Sequence, residues 1–184
     1  MKTIMIYGHP HPEQSLGNNT ILETVKAEVP DMDVRHVAEL YPDGKFDIKA
    51  EQEALVAADT IILQFPVYWY AYPALLKKYI EDVFTHGFAY GSTGTRLKGK
   101  TLIVSCTTGA PYEAYAEGKF HSHSMDTYMF SAAQLAKLCG MHFGGVVHTG
   151  GVMYIPGVSK PEAKEPIIKA CQTHGKKLAS LLRR

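Results

Sequence analysis

A chain of 184 residues, 46% hydrophobic and 20% charged, carries enough apolar material for a buried core, which argues against global disorder. Nineteen basic residues against eighteen acidic ones leave a formal charge of +1 with no long block of one sign, so nucleic acid and anionic membrane are poor partners. Cys106, Cys139 and Cys171 are odd in number, far apart and without a C-x-x-C pair, so neither a disulfide framework nor a zinc knuckle is indicated and a reducing compartment fits best.

The first apolar run, Ile4 to Tyr7, is too short for a signal-peptide core, and no run approaches the ~18 residues of a membrane span. A cytoplasmic protein is expected. Short apolar runs at 3–7, 32–37, 60–65, 101–107 and 143–149 read as strands. Between them, apolar residues recur every three or four positions: Ile21, Leu22, Val25 and Val29, then Leu75, Leu76, Tyr79, Ile80 and Val83, then Met125, Tyr128, Met129, Ala132, Leu135, Ala136 and Cys139. Asn18 and Asp47 are candidate N-caps, Pro73 suits a first helical turn, Gly140 suits a C′ position, and a last helix is expected over 162–182. Five strands, each followed by a helix, predict one α/β domain over residues 1–184, a doubly wound five-stranded parallel sheet with helices on both faces. In the order 2-1-3-4-5 the strand order reverses between the first and third strands, and ligands bind beyond their carboxyl ends.

Three loops therefore matter. The loop from Gly8 to Asn18 opens a helix whose first N–H groups lack intrahelical partners, a place for a phosphate, with His9, Ser15 and Asn18 as further donors and Gly17 permitting close approach. An ordinary capped loop stiffened by prolines is the alternative. The segment 65–73 holds four aromatics in five residues, Tyr68, Trp69, Tyr70 and Tyr72, which suit either a planar heterocycle or a dimer interface. The third loop brings small residues, Thr107, Thr108, Gly109 and Ala110, near Tyr115 and His121, side chains suited to donating protons toward developing charge.

These residues together resemble the NAD(P)H:quinone oxidoreductases of the flavodoxin-2 family, which include the ancillary oxidoreductase subunits of glutathione-gated potassium-efflux systems. The resemblance covers nearly the whole chain and rests on His9-Pro10 with Ser15 and Asn18, on Gln64-Phe65-Pro66-Val67-Tyr68-Trp69-Tyr70 with Pro73-Ala74-Leu75-Leu76-Lys77, on Phe88-Ala89-Tyr90-Gly91 and on Thr107-Thr108-Gly109. It implies a flavodoxin-like fold in which His9, Ser15, Leu16 and Asn18 surround a flavin phosphate, Pro66, Val67, Tyr68, Trp69 and Tyr70 line the isoalloxazine, and Thr107, Thr108, Gly109 and Ala110 meet its other edge. Tyr115 and His121 match the tyrosine and histidine assigned to stabilising reduced flavin. Ala110 departs from the usual second glycine and Pro111 follows it, so the loop could instead turn Tyr112 toward the ring.

The resemblance further implies ping-pong, two-electron reduction of quinones or similar acceptors by NADH or NADPH, with FMN as cofactor and FAD as the alternative, in a homodimer. FMN is preferred because small relatives use it and no C-terminal extension is present to cover an adenosine. A regulatory flavoprotein subunit docked on a potassium-efflux transporter, peripheral to the inner face of the membrane, is the second reading. A one-electron carrier is disfavoured by the near-zero net charge and the lack of a short Ser/Thr-Gly phosphate loop. Gly94-Thr95-Arg96-Leu97-Lys98-Gly99-Lys100-Thr101 spells a P-loop yet precedes a strand instead of following one, and no G-x-G-x-x-G follows the first strand. His9-x-His11 and His121-x-His123 lack partners with metal-ligand spacing.

Overall fold

The computed structural model describes residues 1–183. In chain order it runs β1 (Thr3–Tyr7), α1 (Leu16–Glu28), β2 (Asp33–His36), α2 (Val37–Leu40), α3 (Ile48–Ala57), β3 (Thr60–Pro66), α4 (Ala74–Val83), β4 (Thr101–Thr107), α5 (Met125–Tyr128), α6 (Phe130–Leu138), β5 (His142–Thr149) and α7 (Lys164–Leu181). The strands form one parallel sheet in the order β2-β1-β3-β4-β5, the flavodoxin-like arrangement expected.

Successive strand residues point to opposite faces, yet both faces of the central strands are covered, so β1, β3 and β4 are apolar almost throughout. Ile4 and Ile6 with Leu63 and Val104 pack under α3, α4 and α6 on one face. Met5, Tyr7, Ile62 and Ile103 meet Ile21 and Val25 of α1 and Cys171 and Leu178 of α7 on the other. Glu51 of α3, the one buried carboxylate among the described residues, is held by Arg35 and by the hydroxyls of Tyr41 (2.6 Å) and Tyr79 (2.9 Å), so its charge is paired and its lone pairs are used.

Several local expectations shift. Ser15, not Asn18, caps α1: its Oγ accepts the Asn18 backbone N–H at 3.2 Å, because Leu16 and Gly17 already take helical geometry. Asp47 caps α3 as expected, whereas Pro73 stands at the N-cap position of α4 and Ala74 begins it. The helix expected through 125–139 divides at Met129, which lets the Tyr128 hydroxyl reach the His121 carbonyl while Met125 and Met129 both stay buried. Gly140 follows at φ +67° as the C′ residue. The four-residue α2 is too short to carry a periodic signal. Lys100, the P-loop look-alike, donates to the carbonyls of Val56 (2.8 Å) and Ala58 where α3 turns into β3, so its ammonium ties a corner together. No helix among the described residues is long and apolar enough to cross a membrane.

Candidate functional site: a cavity at the sheet's strand-order reversal

A cavity of about 330 Å³ opens where β1, β3 and β4 end. Ten of the thirteen residues expected at a cofactor line it: His9, Ser15, Leu16, Asn18, Pro66, Val67, Tyr68, Thr107, Thr108 and Gly109. Trp69, Tyr70 and Ala110 lie outside that lining.

One end is built for an anion. Leu16, Gly17 and Asn18 at the start of α1 line it, and a helix start leaves its first N–H groups without intrahelical partners. Ser15 Oγ accepts from Asn18 twice, from its backbone N–H and from Nδ2 at 3.1 Å, so the Ser15 hydroxyl proton is not spent on Asn18 and can turn to the cavity or to the neighbouring Tyr7 oxygen. His9 Nδ1 accepts the His11 N–H at 3.0 Å, and burial, helped by His11, pushes the His9 pKa down to about 4. At neutral pH His9 is therefore uncharged with its proton on Nε2, a hydrogen-bond donor. The side chain of Asn18, by contrast, is committed inward: Nδ2 donates to Ser15 and to Thr107 Oγ1 (3.1 Å), and Oδ1 accepts from Gln64 Nε2 (2.6 Å).

The other end is aromatic. Tyr68 and Ala71 exchange backbone hydrogen bonds of 3.1 and 3.0 Å around Trp69 (φ 50°) and Tyr70 (φ 64°), a type I′ turn without glycine or asparagine. Each bulky residue there costs roughly 1–2 kcal/mol of backbone strain. The turn throws Trp69 into solvent, 93% exposed, and sends Tyr70 onto Tyr128 (5.0 Å, stacked) with its hydroxyl 3.3 Å from His121 Nδ1. Tyr72 packs inward on Phe65.

Tyr115 and His121 are brought together, stacked at 4.3 Å with 12° between planes, and stand beside Tyr70 at the outer rim without lining the cavity itself. Burial raises the Tyr115 pKa, with a hydrogen bond to Thr108 opposing it, so the phenol keeps its proton at neutral pH. Tyr112 takes another direction, 62% exposed and stacked on His148, while Tyr115 meets the same imidazole edge-on. His148 Nε2 lies 2.8 Å from Thr108 Oγ1, and burial lowers its pKa to about 4.

The sequence reading missed a third wall, Val152, Met153 and Tyr154 from the segment after β5. Backbone bonds from Val152 to Thr108 and from Gly151 to Ala110, both 2.8 Å, lay this segment along the third loop. A Cβ on Gly150 would stand 2.2 Å from the Tyr112 nitrogen, and one on Gly17 would stand 2.1 Å from Val152. The Gly150-Gly151 pair directly after the last strand was the available signal.

The flavodoxin-2 family, defined by a flavodoxin-like fold, matches residues 1–175. The chain belongs to that family. YdeQ of Bacillus subtilis (strain 168), an uncharacterized NAD(P)H oxidoreductase, is 36% identical over 163 residues, 89% of this chain and 77% of that protein. KefF of Enterobacter sp. (strain 638), an ancillary protein of the glutathione-regulated potassium-efflux system, is 48% identical over 106 residues, 58% of this chain and 60% of KefF. Among solved structures, general stress protein 14 of Treponema denticola in complex with FMN superposes with a TM-score of 0.86 at 27% identity, covering 98% of this chain and 99% of that one. An NADPH-quinone reductase from P. pentosaceus gives 0.72 at 27% identity over 95% and 98% of the two chains. Within the family fold, the cavity occupies the strand-order reversal where ligands bind in doubly wound sheets.

Proposed function

We propose that the protein is an FMN-dependent NAD(P)H oxidoreductase that reduces quinone-type acceptors. The observation that carries this reading is the convergence of anion donors, a flat Pro66-Val67-Tyr68 wall and the Thr107-Thr108-Gly109 edge in one cavity. The donor set fits the group: neutral donors from His9 and Ser15 and the α1 amides suit a phosphate, and Thr107 and Thr108 bring hydroxyls to the opposite edge. FMN held there by these residues would supply two-electron redox chemistry between NAD(P)H and the acceptor. The chain's own work is orientation and proton supply, with Tyr115 and His121 offering donors at the rim, where interactions strengthened only as charge develops lower a barrier.

FAD is the alternative cofactor. An open cleft of about 640 Å³ shares Gln14, Ser15, Leu16 and Tyr154 with the anion end, room for an adenosyl half. The exposed Trp69, Phe120 and Val158 support a homodimer that covers the rim. We read the whole chain as one flavin-binding domain working in the cytoplasm. The similarity to KefF favours a second reading, a regulatory subunit held at the membrane by a potassium-efflux transporter, which co-purification with the transporter tests.

Purified protein is expected to take up one flavin per chain, identified by mass spectrometry, and to bleach with NAD(P)H without oxygen. A protein that binds neither FMN nor FAD in calorimetry overturns the proposal.

A further inference from the structure

His174, on α7, is 3% exposed and forms no part of the cavity, yet both of its ring nitrogens are engaged. Nε2 lies 2.7 Å from Ser105 Oγ and Nδ1 lies 2.9 Å from Thr149 Oγ1. Ser105 Oγ donates to Gln64 Oε1, Gln64 Nε2 donates to Asn18 Oδ1, and Asn18 Nδ2 donates to the hydroxyl oxygens of Ser15 and Thr107. Ser105 and Gln64 are fully buried, and Asn18 nearly so, so every link is shielded from water.

A chain of this kind has a direction. Ser105 has one hydroxyl proton and gives it to Gln64, so its bond to His174 must be received from Nε2–H. Nδ1 is then bare and accepts from Thr149. Each amide follows in turn, and at the far end Ser15 and Thr107 receive from Asn18 and keep their own protons for the cavity. With the proton on Nδ1 the whole chain can run backward: Ser105 would donate to His174, both amides would flip, and the two hydroxyls would spend their protons on Asn18 Oδ1. The cavity would then meet an anion with lone pairs. We propose that His174 is a positioning residue whose Nε2–H tautomer sets the polarity of the Ser105–Gln64–Asn18 chain and so keeps Ser15 a hydrogen-bond donor toward the cofactor's phosphate end and Thr107 one toward the ring edge. Burial holds the His174 pKa down to about 3, with His148 and Lys177 adding to it, so the ring stays neutral and only the tautomer is in play.

The inference rests on the flavin reading above, and its test separates the two. FMN and riboflavin affinities are compared by calorimetry for the wild type, His174→Leu, His174→Gln and Ser105→Ala. Losing correctly aimed donors to a charged phosphate weakens FMN binding roughly tenfold to a hundredfold. Riboflavin, which lacks the phosphate, should lose clearly less than FMN, since it has no group for Ser15 and shares only the Thr107 contact at the ring edge. His174→Gln, whose amide N–H reaches toward Ser105, should recover most of the FMN affinity. Ser105→Ala, a small change, keeps the comparison open where His174→Leu does not fold. Nitrogen-15 spectra of the flavin-loaded protein should place the His174 proton on Nε2. Equal losses for FMN and riboflavin, unchanged FMN binding in both His174→Leu and Ser105→Ala, or a proton on Nδ1 would overturn the inference. Failure of the wild type to bind FMN at all would instead sink the flavin reading.

Discussion

The two ends of the cavity are made in opposite ways. At the anion end, Ser15, Asn18 and Gln64 are buried, mutually hydrogen-bonded and seated on a helix start and central strands. At the rim, Trp69, Tyr70, Tyr115 and His121 are exposed or half-buried, sit on turns and loops, and include two strained φ values. The difference follows from what each end does. A cofactor that stays is best held by groups whose reorganisation is already complete, whereas substrates that exchange need an accessible surface whose aromatics meet them from the loop side.

The sharpest way to break this contrast is to damage the buried end. Gln64→Met leaves Asn18 Oδ1 and the Ser105 hydroxyl without their present partner, and should cost about 2–6 kcal/mol in urea unfolding. A loss below about 1 kcal/mol would mean that the buried chain is not what holds this end rigid.

Acidity provides the next largest effect. His9, His148 and His174 have folded pKa values of about 4, 4 and 3, below the ~6.5 of an unfolded histidine. The unfolded chain therefore takes up protons first as pH falls. Their contribution to stability is fully present above about pH 6.5 and is lost as the pH drops from there toward the folded values. His174, the most buried of the three, contributes up to about 1.4 kcal/mol per pH unit in that window. Unfolding midpoints at pH 7 and pH 5 should fall closer together in His174→Gln than in the wild type.

The rim should respond in rate. Tyr115→Phe and His121→Gln are expected to slow flavin reduction by NAD(P)H roughly tenfold to a hundredfold in stopped flow, equivalent to ~1.4–2.8 kcal/mol of barrier, with flavin affinity nearly unchanged. Wild-type rates in both variants would make these side chains filling only. The smallest effect concerns the strained turn: Trp69→Asn should raise stability by about 1 kcal/mol, because asparagine tolerates a left-handed backbone. The same change should raise the KM for the acceptor. Lower stability would show that Trp69 holds the turn together.

Strand positions, sheet order and the location of the cavity were legible in the sequence, because burial on both faces imposes continuous apolar runs and the crossover rule leaves few topologies. The aromatic run at 68–72 and the Thr107-Thr108-Gly109 motif announced themselves by composition. Their directions did not: Tyr68 enters the cavity, Tyr72 the core, Trp69 the solvent and Tyr70 the neighbourhood of His121, and a turn type chosen against local propensity decides which. The loop through Ala110 and Pro111 likewise left open whether Tyr112 or Tyr115 would face the flavin ring, and in the fold Tyr112 stacks on His148 while Tyr115 stacks on His121. Asn18 read as a cap and phosphate donor, whereas its side chain turns inward because Gln64 and Thr107, 46 and 89 residues away, meet it there. His174 and Ser105 carried no signal at all, since a polar residue in a helix or strand shows its partner only when the sheet and α7 are assembled. The sequence alone determined the periodic burial that builds this sheet and places its cavity, while the direction of each hydrogen bond reaching that cavity was decided by contacts between distant segments, which exist only once the chain is folded.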